Sequence, residues 1–140
     1  MLKGMSALLF SGVILSACGT SKEASPFEEV NTLDGVNIHL DQDTYAQEGD
    51  NFMLTVSNES DEEISYGIAF TVEVEDDGDW YIVEPEEEMA FILIAHMLGP
   101  GEEAEEELNM EYYEPFDEGT YRVVRQMEGE VLTAEFTIEQ

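Results

Sequence analysis

The chain has 140 residues, 34 of them Asp or Glu and four Lys or Arg, for a formal net charge of −30 at pH 7. That balance excludes nucleic-acid binding, which needs Lys and Arg to neutralise phosphates, and it opposes docking the domain flat on anionic lipid headgroups. The one cysteine, Cys18, has no partner for an intrachain disulfide, and the roughly 120 residues from there on suffice for one domain with its own core.

Residues 1–17 carry one charged side chain, Lys3, and no acid. An apolar run from Met5 to Leu15 follows; it has the length of a signal peptide and falls short of the roughly 20 residues a membrane-spanning helix needs. It ends in Leu15-Ser16-Ala17-Cys18, which resembles the lipobox of bacterial lipoproteins: an aliphatic residue, two small ones, then cysteine. The resemblance implies a signal peptide over 1–17, a covalent diacylglycerol on Cys18 and cleavage before it. The protein is then extracytoplasmic and held to the cell membrane by its lipid anchor only. Two acyl chains hold stably where one, at about 0.8 kcal/mol per buried CH2, gives marginal binding.

Residues 18–33 read as the lipidated N-terminus and a tether. They are mostly small and polar, include Pro26, and hold no sustained period. Fully extended, about 15 residues reach roughly 50 Å. Residues 34–140 form the domain. All 34 acids lie after residue 22, against Arg122 and Arg125, so residues 23–140 carry a formal −32. Two carboxylates about 6 Å apart in water repel by roughly 0.7 kcal/mol before screening. Summed over many pairs this rivals a total stability of about 5–15 kcal/mol, so salt is expected to stabilise the domain. Self-repulsion also favours solubility.

Within the domain the period is two. Val36, Ile38 and Leu40 alternate with polar neighbours, as do Phe52, Leu54 and Val56 before the turn cluster Asn58-Glu59-Ser60-Asp61. Ile64, Tyr66, Ile68, Phe70, Val72 and Val74 keep one parity, with Gly67 a candidate bulge or close approach. Asp76-Asp77-Gly78-Asp79 is a hairpin signal before Trp80-Tyr81-Ile82-Val83. Met89–Leu98, interrupted only by His96, fits a strand buried on both faces or a core helix, and is too short to span a membrane. Glu102–Tyr113 is helical by propensity, but its crowded like charges at i,i+4 weaken a helix; a strand or irregular connection is expected. Thr120–Gln126 and Val131–Ile138 close the chain as a hairpin. These elements predict an all-β fold, an antiparallel β-sandwich of about seven strands.

Several pieces in order carry a family likeness: Tyr45, Asn58, Tyr66-Gly67, Phe70-Thr71-Val72-Glu73, Asp77-Gly78-Asp79-Trp80-Tyr81, Pro100-Gly101-Glu102, Gly119-Thr120-Tyr121-Arg122 and Ala134-Glu135-Phe136. From about residue 36 to 138 the chain resembles a bacterial immunoglobulin-like domain family common in lipoproteins and surface proteins of Gram-positive bacteria. The resemblance implies an immunoglobulin-like β-sandwich and no catalytic centre. Such domains usually mix lysine with their acids; here lysine is gone after residue 22.

Four residues are expected to be structural. Trp80, just past a hairpin, is a large core anchor. Tyr121 after Gly119 is similar to a tyrosine corner, its phenol bonding backbone upstream. Arg122 is expected to pair with a carboxylate such as Glu73. For chemistry, no thiol other than Cys18 and no serine in a nucleophile-elbow context offers a nucleophile, and His39 and His96 stand alone in strand-like runs. Carboxylates are too abundant for any pair to signal acid–base catalysis; no enzyme is expected. Asp76, Asp77 and Asp79 around Gly78 could offer Ca2+ several oxygens, though without EF-hand spacing. The remaining loops, 41–51, 58–64, 75–79, 84–88, 99–103, 113–119 and 127–130, are where a binding function would lie. The sequence therefore predicts a lipid-anchored, non-catalytic module that binds or scaffolds an unidentified protein or cell-envelope partner. A Ca2+-binding surface module and a loop-based protease inhibitor are the alternatives.

Overall fold

In the computed structural model the described residues are 22–140; Cys18 and the rest of residues 1–21 lie outside them. The described chain is all-β, with ten strands and one short 3-10 turn. In order these are β1 (Val36–Leu40), β2 (Thr44–Ala46), β3 (Phe52–Asn58), β4 (Ile64–Tyr66), β5 (Thr71–Asp76), β6 (Asp79–Val83), β7 (His96–Leu98), β8 (Glu102–Leu108), the 3-10 turn Glu111–Tyr113, β9 (Gly119–Met127) and β10 (Glu130–Glu139).

Two sheets face each other as a sandwich. The smaller has the order β1-β3-β8. The larger, of seven strands, is built on the β9–β10 hairpin, with β2 added in parallel to β10. On the other side of β9, β5 pairs along Tyr121–Val124 and β4 pairs further down at Met127. These two strands therefore share one lane. The next and outermost lane holds β6, paired to β5, and β7, paired to β4.

Alternation decides which side chains meet. Val36, Ile38, Phe52, Leu54, Val56 and Leu108 point from the small sheet toward Tyr121, Val123, Leu132, Phe136 and Ile138 of the large one. Burying each such side chain is worth about 1.5–3 kcal/mol. Tyr45 stacks on Phe52 with centroids 3.8 Å apart, and Phe136 meets both edge-on.

Two sequence expectations change here, and a third, the strand over Glu102–Tyr113, is made specific. The run from Ile64 to Val74 keeps its parity of burial but is two strands, because the chain shifts lanes between Tyr66 and Thr71. Glu102–Tyr113 resolves into a strand and a 3-10 turn: Ala104, Glu106 and Leu108 face inward while Glu103, Glu105 and Glu107 stay in water, the period of two that strand pairing with β3 requires. Met89–Leu98 is neither a buried strand nor a core helix. Only His96–Leu98 is strand, and the preceding segment is extended and irregular. Met89 and Phe91 pack against the core rim, while Ile92, Leu93 and Ile94 face solvent.

The expected tether is corrected as well. Residues 22–33 are docked rather than free. Ile82 N donates to Glu23 O (2.8 Å) and Ser25 N to Trp80 O (2.9 Å), so this piece runs antiparallel along the open edge of β6. Asn31 then bonds to β10: its backbone N donates to Val131 O, its Nδ2 to Thr133 Oγ1 (2.9 Å), and its Oδ1 accepts from Thr133 N (3.0 Å). A chain tied to β6 at one end and to the outward Thr133 at the other must cross β5 and β9. It forms a strap over the outer face of the large sheet. Polar composition hid this docking, because the strap binds mainly through backbone and one asparagine.

Candidate functional site

The hairpin at Asp76–Asp79 forms as its turn residues dictate. Asp76 pairs with Asp79, leaving Asp77 (φ 60°) and Gly78 (φ 89°) as the two-residue connection in the left-handed region. Asp76, Asp77 and Asp79 are all exposed, and Asp76 is taken by the ammonium of Lys22, which also lies over the Tyr81 ring at 5.2 Å. The three carboxylates do not converge. Among the described residues no group of three or more His, Cys, Asp or Glu side chains is arranged to hold a metal ion.

The hairpin register also relocates Trp80. A two-residue turn sets Trp80 opposite Glu75, on the outward parity shared with Glu73 and Arg122. Trp80 is therefore half-buried outside the sandwich and is not part of its core. Its ring covers the Arg122 guanidinium at 4.3 Å, a cation–π contact. Arg122 and Glu73 face each other across β9 and β5: Nε donates to Oε1 at 2.8 Å and Nη2 stands 2.7 Å from the same oxygen. Glu73 is 1% exposed and Arg122 5%. Trp80 covers these outward-facing charges, and the strap crosses the same face of the sheet. Only Nε makes a hydrogen bond; Arg122 Nη2 and Glu73 Oε2 are both left without one, so the pair is held by charge as well as by that single bond.

Arg125 was missed by sequence reasoning as a site residue. Three positions on from Arg122, it has the inward parity of Tyr121, Val123 and Met127 and sits between the sheets. Its Nη2 reaches Glu106 of β8 at 2.9 Å and donates to Ile68 O at 2.7 Å. That parity was the available signal.

Beside this pair an open cleft of about 410 Å3 is lined by Tyr66, Phe70, Phe91, His96, Glu106 and Tyr112 among others. Its walls are mainly apolar, and the His96 ring stacks on Tyr66 (centroids 5.6 Å). The arrangement can receive an apolar group; it sets no base beside a nucleophile.

At the opposite end Tyr121 donates its hydroxyl to Asp117 O (2.7 Å), four residues upstream. Burial raises its phenol pKa, with the Asp117 charge adding to the effect. Burial likewise pushes Tyr113 up to about 12. Tyr45 is raised by burial and by donating to Asp41 Oδ1 (2.6 Å), and that same bond holds Asp41 below the usual carboxylate range. Glu114 is raised, mainly by burial. These are packing effects at the rim of the core, and none of these groups faces a second reactive side chain in the cleft.

Comparison with known proteins supplies the remaining findings. The family described as a bacterial Ig-like domain matches residues 32–137. No curated protein matches the chain. Among solved structures it is similar to Pseudomonas fluorescens alkylpurine DNA glycosylase AlkC bound to DNA containing an abasic site analog, at 17% identity and a TM-score of 0.41, over 76% of this chain and 31% of that one. It is also similar to the β-glucosidase from Listeria innocua in complex with gluconolactone, at 18% identity and a TM-score of 0.36, over 75% of this chain and 16% of that one. The chain thus spans less than a third of either enzyme, and neither activity carries over.

Proposed function

The chain belongs to the bacterial Ig-like domain family, and from that premise we propose that it is a non-catalytic, extracytoplasmic module, anchored by lipid on Cys18, that binds or scaffolds a partner at the cell envelope. The observation that carries the anchor is Leu15-Ser16-Ala17-Cys18 after a short apolar run. Among the described residues no helix is long and apolar enough to cross a membrane. The non-catalytic reading is supported by membership of the bacterial Ig-like domain family and by a cleft whose walls are mainly apolar. The cation alternative loses its motive, since the Asp76–Asp79 hairpin does not gather its carboxylates.

Expression in a bacterial host with a labelled fatty acid tests the anchor. Lipid label and membrane retention are expected on the natural chain. The Cys18→Ala chain should lose both and remain folded. Label persisting on Cys18→Ala would overturn the anchor. Cross-linking on intact cells then identifies the partner, and its loss on removing the domain but not the lipid would assign the partner to the sandwich.

A further inference from the structure

The segment between β6 and β7 carries an exposed apolar patch. Leu93 is 100% exposed, Ile92 66%, Met97 58% and Ile94 50%. Four large apolar side chains in one patch mark a contact surface. They are not loose: Phe91 meets Phe70 edge-on at 5.5 Å, and Ile94 N donates to Ile92 O (3.0 Å), closing a tight turn that presents Leu93 at its apex. A second copy of this chain is a poor occupant, since each copy carries −30 and would repel the other.

Where the chain leaves the domain points to a different occupant. β6 and β7 share the outermost lane, so the segment joining them fills the gap between Val83 and His96 along one edge of the large sheet. The strap pairs antiparallel with β6 on that same edge, Ala24 opposite Tyr81 and Glu23 bonded to Ile82, so the described chain begins on the edge that also carries the apolar turn. Only three residues lie between Cys18 and Lys22, so the four steps reach at most about 14 Å. A lipid on Cys18 therefore brings this edge to the bilayer.

We infer that the Ile92–Leu93–Ile94 turn, with Met97, dips into a lipid surface beside the anchor and fixes the orientation of the domain. The inference rests on the proposed lipidation of Cys18. Amphipathic contact of this kind buries apolar side chains at the headgroup boundary. The exposed Glu84, Glu86, Glu87 and Glu88 of the same segment repel anionic headgroups, so the turn favours zwitterionic ones.

The test uses the full chain lipidated at Cys18, in phosphatidylcholine vesicles, with an environment-sensitive dye on Leu93→Cys or, at the opposite end of the domain, on Glu48→Cys. The dye at 93 should shift to the blue and be quenched by lipid-borne quenchers; the dye at 48 should do neither. Replacing half the phosphatidylcholine with phosphatidylglycerol should cut the quenching at 93 at least threefold, and molar salt should restore it. Vesicle-bound chain with the dye at 93 in water would overturn the inference while leaving the anchor intact. A chain that washes off the vesicles would overturn the anchor; quenching at 93 on fresh vesicles would then still support the turn, and its absence would overturn that too. Photo-cross-links from position 93 to protein rather than lipid in cells would also overturn the inference, in favour of a protein partner.

Discussion

The two arginines of the sandwich lie three residues apart on one strand and solve the same problem on opposite faces. Arg122 points outward and is closed in with Glu73, Trp80 and the strap. Arg125 points inward, yet its carboxylate partner Glu106 keeps 23% of its side chain exposed at the cleft. The inward pair is thus the one that touches water, through Glu106 and not through Arg125, while the outward pair is closed off at both ends. With 34 acids after residue 22, these cations do not neutralise the surface. They satisfy two carboxylates where screening by solvent is weakest, and what lies over a sheet face matters as much as which face it is.

The largest expected effect comes from opening the sealed pair. Arg122→Ala leaves Glu73 buried and unpaired and should cost about 3–5 kcal/mol, while Arg122→Met with Glu73→Leu together should be close to neutral. Urea denaturation of both variants measures this, and equal losses would mean that the charges are not what stabilises the site. Glu106→Gln should cost less, about 1–2 kcal/mol, because that end of the other pair already meets solvent and keeps a hydrogen-bonding side chain. A larger loss there than for Arg122→Ala would invert the comparison.

Asn31→Ala removes two side-chain bonds to Thr133 and should cost about 1–2 kcal/mol. Because the strap crosses the face that holds the Arg122 pair, the same variant should raise hydrogen exchange at Arg122 and leave exchange near Arg125 unchanged. Exchange that rises equally at both arginines would deny the strap its local role. The smallest effects are global. Molar salt should raise the melting temperature by screening acid–acid repulsion. At high pH the sign follows from the tyrosines. Burial raises the phenol pKa of Tyr113 from 10.0 to about 12, and those of Tyr66 and Tyr121 move the same way. The unfolded chain ionises first, so this stability is intact below pH 10 and is lost as pH rises toward 12. A melting temperature flat across that window would show that the phenols are not protected.

Strand parity was legible in the sequence and carried most of the architecture. It also held answers that a hydropathy reading passes over. The Asp77-Gly78 turn alone sets Trp80 opposite Glu75 and hence outward, whereas size and apolarity suggest a core anchor. Parity likewise places Arg125 inside with Tyr121 and Val123. Two features were not legible. Met89–Leu98 has the composition of a buried element, but composition does not say whether enough neighbouring chain exists to cover it; here only Met89, Phe91 and Leu98 find cover. Residues 22–33 have the composition of a linker, and their docking uses backbone groups of an open strand edge, which every residue but proline offers.

The strap has a mechanical consequence. Its outermost bonds, at Glu23 and Ser25, lie side by side along the edge of β6. A pull on the N-terminus directed across the edge of β6 loads them one after another, as in a zipper, and not all at once, as in a lap joint. Under tension the strap peels back to Asn31 before any sheet of the sandwich bears load, paying out roughly 30 Å of chain. The domain would meet a tug from the envelope with slack first and unfolding only afterwards.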